Sequence, residues 1–382
     1  MLTNTPPAVR PLRPHFSSGP CAKPPGWSSD KIHTQVLGRS HRSGLGKQRL
    51  KYCIDLMREM LELPDTHRIG IVAGSDTGAF EMAMWSMLGA RPVTCLAWES
   101  FGEGWVTDAV KQLRLDPTVI RAGYGELPDL GEVDWSNDVL FTWNGTTSGV
   151  RVPDGEWIAA DREGLSFADA TSAVFAYDLP WDKIDVATFS WQKVLGGEGA
   201  HGVLILGPRA VERLETYTPD RPLPKIFRMT KPAPAQAGGG KLIEGIFSGE
   251  TINTPSMLAV EDAIFALEWA RSAGGLNGMI ARTQANAAAL DRIVLARNWL
   301  GHLAQNPASR SKTSVCLTVD GADASFIKRF TTLLEEARAA YDIASYRDAP
   351  PGLRIWCGAT VDTADIEALG PWLDWAWSEL NP

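Results

Sequence analysis

Short apolar runs alternating with amphipathic stretches set the rhythm of the chain. Leu50, Ile54, Met57 and Leu61 recur at helical spacing and stop at Pro64, which predicts a first helix. Residues 69–73 then read as a strand, 78–88 as a helix ended by Gly89, 93–98 as a strand and 105–113 as a helix. Further strands are expected at 117–122, 139–143, 165–168, 186–190 and 203–206. Strands of this length between amphipathic helices imply an α/β fold, a mainly parallel sheet covered on both faces.

The pattern changes at residues 219–240, where five prolines, several basic residues and Gly238 to Gly240 predict a long loop. A helical region from 256 to 300, broken near Gly274 and Gly275, leads into a strand (314–319), a helix (325–340), a strand (353–356) and a helix (364–380). The expected layout is an N-terminal arm (1–15), a large domain (16–260) and a smaller C-terminal α/β domain (261–382).

Composition narrows the partners. With 44% hydrophobic and 21% charged residues and a net charge of −8, the chain reads as a soluble globular protein with no call for nucleic acid or an anionic membrane. Five widely spaced cysteines without a CxxC pair point to reduced thiols in the cytoplasm and to no metal site. The proline-bearing first 14 residues carry no apolar signal core, and no apolar run is long enough to span a bilayer.

The candidate chemistry centres on Lys193, between the apolar run 186–190 and a glycine-rich stretch, Gly196 to Gly202, that leads into a second apolar run. A lysine at such a sheet margin loses hydration of its ammonium, so its neutral amine becomes available to attack a carbonyl. Asp169 ends a predicted strand 24 residues earlier, placed to hold a protonated ring nitrogen. Gly74 to Gly78 follows a strand and opens a helix, where backbone amides can hold a phosphate. Trp105 is a candidate to stack on a planar ring. Gly197 to Gly202 matches GxGxxG but precedes a strand instead of opening a helix, so a dinucleotide site is excluded and the glycines read as flexible backbone.

In this order the motifs Ser17 to Pro20, Ser40 to Arg42, Gly74 to Phe80, Asn144 to Thr146, Ala168-Asp169, Trp191 to Lys193, Asn253 to Pro255 and Gly352 to Arg354 resemble those of the phosphoserine aminotransferases. The resemblance implies a fold-type I transferase dependent on pyridoxal 5'-phosphate (PLP). It further implies a homodimer that converts 3-phosphohydroxypyruvate and glutamate to O-phosphoserine and 2-oxoglutarate in serine biosynthesis. The phosphohydroxythreonine step of vitamin B6 (pyridoxine) synthesis stays open. Lys193 would carry the cofactor, Asp169 would face its ring nitrogen, Trp105 would stack on the ring and Thr146 would lie by the ring hydroxyl. Asp76, Thr77 and Gln192 would contact its phosphate, with Asn253 and Thr254 reaching it from the other subunit. His41 and Arg42 would meet the substrate phosphate, with Arg347 beside them, and Arg354 the α-carboxylate. Thr77 stands where the commoner pattern has arginine, and Tyr346-Arg347, or with one-residue slippage Arg347-Asp348, where it has His-Arg. The alternatives are an alanine–glyoxylate-type aminotransferase, a cysteine desulfurase and a catalytically silent PLP-fold binding protein. The anion-binding residues oppose the first, the lack of a cysteine in a plausible catalytic loop the second, and the Lys193/Asp169 pair the third.

Overall fold

Strand residues that alternate between two apolar faces require cover on both sides, and the computed structural model, which describes residues 4–232 and 239–381, supplies it. Seven strands form the main sheet: β1 (Arg68–Ala73), β2 (Val93–Ala97), β3 (Thr118–Arg121), β4 (Asp138–Thr142), β7 (Ser166–Asp169), β8 (Val186–Ser190) and β9 (His201–Leu206). β5 (Asn144–Gly145) and β6 (Val150–Arg151) make a small separate hairpin. The sheet order is β1-β9-β8-β7-β4-β2-β3. β9 pairs antiparallel with β1 and β8, and the other pairs are parallel.

Alternation along these strands divides the interior. Val139, Phe141, Ala187, Phe189, Val203 and Ile205 face one core. Leu140, Phe167, Val186, Leu204 and Leu206 face the other. Helix α1 (Gly44–Met60) packs in the first core through Leu50, Ile54 and Met57, the stripe expected from its sequence. Helix α2 (Ser75–Met87) lies in the second with Phe80, Met84 and Met87. Helix α3 (Ser100–Thr107) begins five residues before the expected start and passes into a wider π-type turn at Asp108–Gln112. Glu99 explains the earlier start, because its carboxylate accepts from the Gly102 amide at 2.8 Å and caps the helix.

Helix α4 (Pro208–Thr216) follows β9. The expected loop at 219–240 instead holds a helical turn at Lys225–Phe227 and the first strand of an antiparallel pair, β10 (Thr230–Pro232) with β11 (Gly240–Leu242); residues 233–238 of it lie outside the described residues. Helices α5 (Met257–Ser272) and α6 (Gly275–Leu295) break at Gly274, as the sequence implied. The helix ends before residue 300, however, and Leu300–His302 form β12. β12 joins β13 (Ser314–Val319) and β14 (Leu353–Trp356) in an antiparallel sheet, flanked by α7 (Ala324–Glu336) and α8 (Thr363–Leu380). No helix among the described residues is long and apolar enough to cross a membrane.

One ion pair joins two of these elements and the residue leading into β7. Asp138, fully buried at the start of β4, accepts from Arg213 of α4 at 2.7 and 3.1 Å and from the Leu165 amide at 2.9 Å. Arg213→Ala leaves that carboxylate buried without its partner, a loss of about 3–5 kcal/mol. Urea unfolding should show it as a lower midpoint, and a loss under about 1 kcal/mol would mean the pair is no more than a surface contact.

Candidate active site

The ligand crevice of an open parallel sheet lies beyond the carboxyl ends of its strands. Here those ends deliver β1 into the Gly74 turn, β4 towards Asn144 and Thr146, β7 into Asp169, and β8 into Trp191, Gln192 and Lys193. The result is one enclosed cavity lined by Asp76, Thr77, Trp105, Thr146, Asp169, Gln192 and Lys193, among others. Seven predicted cofactor residues thus meet from segments spread over more than a hundred positions of the sequence.

Lys193 is half-buried, and its amine donates to the Ser18 carbonyl oxygen. Burial, with a lesser contribution from the Arg354 charge, pushes its pKa below the usual lysine value; Cys21, Asp169 and Asp76 act in the opposite direction. The N-terminal segment is held beside it by the Cys21 amide, which donates to the Gln192 carbonyl at 2.8 Å. Asp169 is 7% exposed; its Oδ2 accepts from Trp105 Nε1 at 3.0 Å and its Oδ1 from the Thr171 amide at 3.1 Å. Trp105 also packs on Phe80 with ring centroids 4.5 Å apart, so its indole is fixed from two sides. Ser172 ties the β4 loop into the same wall, accepting from Thr146 Oγ1 at 2.9 Å and from Asn144 Nδ2 at 2.8 Å.

Gly74 adopts a left-handed φ of +83° and starts α2. The Gly74 and Ser75 amides both donate to the Ala200 carbonyl at 3.2 Å, and the Gly78 amide to the Gly74 carbonyl at 2.8 Å. That leaves the Asp76 and Thr77 amides of the first turn for a ligand. Gly202 is where the turn meets β9: a Cβ there would collide with the Ser75 carbonyl. This corrects the reading of the glycine-rich stretch as flexible backbone, since at Gly202 the glycine allows close packing.

Six buried side-chain atoms close to these residues have no protein partner: Asp76 Oδ1, Thr142 Oγ1, Asn144 Oδ1, Thr171 Oγ1, Thr188 Oγ1 and Gln192 Oε1. Unpaired buried polar atoms are costly and concentrate where a ligand completes them. With a lysine of lowered pKa, a strand-end aspartate and free helix amides, the donor set fits PLP.

The chain is 58% identical to the phosphoserine aminotransferase of Methanosarcina barkeri over 96% of its own length and 98% of the relative's. It is 57% identical to that of Methanosarcina mazei, over 96% and 97%. The chain belongs to the phosphoserine aminotransferase family. No family model matches the chain. Among solved structures, a phosphoserine aminotransferase from Cytophaga hutchinsonii superposes with a TM-score of 0.80 at 20% identity, covering 95% of this chain and 98% of the other. The fold is accordingly that of the fold-type I PLP aminotransferases.

The other residues predicted for the site do not line this cavity in the single chain, and of them Arg354 acts on Lys193. His41 and Arg42 line a separate groove with Lys47, Gly249, Glu250 and Thr251. Asn253 and Thr254 come after Ile252 in the sequence and are not among the residues lining that groove, Asn253 Nδ2 donating to the Thr254 carbonyl at 3.1 Å. Arg354 acts on Lys193 and leaves its buried Nε unpartnered, while Arg347 is exposed and bonds Asp348 at 3.4 Å. Tyr346 stands between them, 5.6 Å from the Arg354 guanidinium and 5.5 Å from that of Arg347. Sequence reasoning missed Glu99, Phe101, Thr142 and Thr171 in the cavity wall. Glu99 left a signal, a carboxylate three residues ahead of Gly102; the others are ordinary loop or strand-end residues.

Gly19 presses on the lysine, and a Cβ there would reach Lys193 Nζ. Gly19 also holds a φ of +150°, which alanine rarely adopts, so Gly19→Ala should both displace the amine and strain this segment, slowing recovery of the cofactor's visible absorbance on adding PLP to apoprotein by up to about a hundredfold. An unchanged rate with unchanged stability would show that the amine does not need this position.

Proposed function

We propose that the protein binds PLP and transfers the amino group of glutamate to 3-phosphohydroxypyruvate, giving O-phosphoserine and 2-oxoglutarate. The observation that carries this reading is near-full-length identity of 58% to a phosphoserine aminotransferase, in a chain whose Lys193 and Asp169 line one cavity. PLP supplies the electron sink for charge released at the substrate's Cα.

The chain's own residues have distinct tasks. Lys193 Nζ, stripped of water, binds the cofactor as a neutral amine and then carries the proton to and from Cα as general acid and base. Asp169 holds the proton of the ring nitrogen, and Trp105, steered by its bond to Asp169, covers the ring face. The Asp76 and Thr77 amides and Gln192 hold the phosphate, and Thr146 stands at the ring hydroxyl. Arg354 takes the α-carboxylate.

His41, Arg42, Asn253 and Thr254 serve the site of a second copy in a homodimer. In support, His41 and Arg42 line a groove with Lys47 and Glu250, which pair at 3.0 Å, and none of the four residues lines the Lys193 cavity of its own chain. Arginine's planar fork suits both the phosphate of one substrate and the γ-carboxylate of glutamate. Arg347, exposed near Arg354, is placed to join them.

Arg42→Ala should lower kcat/KM for phosphoserine by about a hundredfold while alanine is affected far less, because one charge-assisted anion contact is removed. Equal losses would refute the phosphate role. Mixing Arg42→Ala with Lys193→Ala chains should restore activity in hybrids, where one site has its lysine and the other chain's arginine. No recovery would favour a site complete within one chain.

A further inference from the structure

Three carboxyl groups, Asp76, Glu99 and Asp169, line the Lys193 cavity, where PLP needs one at its ring nitrogen. Asp169 closes β7 and Asp76 occupies the first turn of α2; each is 7% exposed and both line the cavity. The arginines that reach buried aspartates in this sheet go to Asp138 and Asp185 instead. Asp169 already accepts from Trp105 and from the Thr171 amide, whereas Asp76 Oδ1 is buried with no partner.

The charged and titratable surroundings are few. Lys193, after β8, is the cation that acts on both carboxyls, and its own amine is held by the Ser18 carbonyl. Arg354 of β14 and the Cys21 thiol bear on Lys193, and Glu99, ahead of α3, puts a third buried carboxyl near Asp169. Two carboxylates in one desolvated site cannot both keep their charge.

We propose that Asp76 is carried as a neutral acid whose proton is donated to an Asp169 oxygen, making Asp76 a positioning residue for the carboxylate that faces the cofactor's ring nitrogen. This rests on the proposed role of Asp169. Burial, and next the Asp169 charge, push Asp76 well above the usual carboxylate range, against smaller opposing effects of the Thr188 and Thr171 hydroxyls. A neutral Asp76 also keeps negative charge out of the α2 N-terminus, where the phosphate dianion is to sit. Its contribution to the phosphate site is then its backbone amide, and its side chain serves the other end of the cofactor.

The sign of the pH dependence follows. The folded apoprotein keeps this proton above the pH at which the unfolded chain releases it. The stabilisation is therefore full below about pH 4 and is lost as pH rises toward the raised folded value. Across that window the folding constant of wild-type apoprotein should fall relative to Asp76→Asn by about tenfold per pH unit.

The direct test is the infrared spectrum of the holoprotein at neutral pH. Wild type should show the carbonyl stretch of a protonated, buried carboxylic acid that moves on 13C labelling of aspartate and disappears in Asp76→Asn. Labelling separates it from Glu99 and needs no variant to fold. The PLP dissociation constant should rise about tenfold in Asp76→Ala and less in Asp76→Asn, which keeps a donor. Absence of an aspartate-derived band, or its loss in Asp169→Asn with retention in Asp76→Asn, overturns the proposal. If the band is present but Asp169→Asn leaves the PLP spectrum and affinity unchanged, the ring-nitrogen role of Asp169 fails while the shared proton stands.

Discussion

Desolvation of a single amine is the constraint on which the site depends. Lys193 sits past the end of β8, where its ammonium exchanges water for the Ser18 carbonyl and for two carboxyl groups across a cavity. Burial favours the uncharged amine, and the uncharged amine is the form that reacts with a carbonyl. Keeping water away takes segments from both ends of the chain. The Phe16 carbonyl accepts from the Trp356 amide at 3.0 Å, and the Cys21 amide meets Gln192, so the N-terminal segment runs from β14 to the lysine. The N-terminal segment thus ties the C-terminal sheet to the lysine that the main sheet delivers.

Around that amine, strand ends and helix starts divide the chemistry. Carboxyl side chains gather where a ring nitrogen would carry a proton, and free backbone amides gather at α2, where a phosphate would lie. Glycine at 202 allows that turn to approach β9, so the two halves of the cofactor site are held at a fixed separation by sheet packing. Such placement on rigid elements suits a reaction in which one lysine must reach several atoms in sequence.

Much of this was legible in the chain because each signal had a local cause. The strands at residues 69–73, 186–190 and 203–206 announce themselves as apolar runs, and the α1 stripe by its spacing. Lys193, Asp169 and the Gly74 turn stand out once all three are seen at strand ends. The less legible parts depend on distant contacts. Nothing near Leu300 shows that it pairs with Val319, so the helical periodicity ran on too far. Helix α3 starts early because Glu99 caps it, and the 219–240 loop holds a strand because Thr230 pairs with Leu242. The phosphate loop gave Asp76 as a ligand, but its burial opposite Asp169 becomes visible only when α2 is laid on the sheet. His41, Arg42, Asn253 and Thr254 were recognised by resemblance alone, and the fold adds that His41 and Arg42 line a groove separate from the Lys193 cavity.

Central to the account is the choice of a phosphorylated amino acid as amino donor, and a single-turnover experiment addresses it most directly. Holoprotein mixed with phosphoserine in the absence of any keto acid should lose its visible cofactor absorbance in one rapid phase and release one equivalent of keto acid per site. Serine and alanine at the same concentration should react far more slowly, because neither carries a phosphate for Arg42 to hold. Rapid bleaching by alanine with none by phosphoserine would contradict the account and point to an aminotransferase for uncharged amino acids.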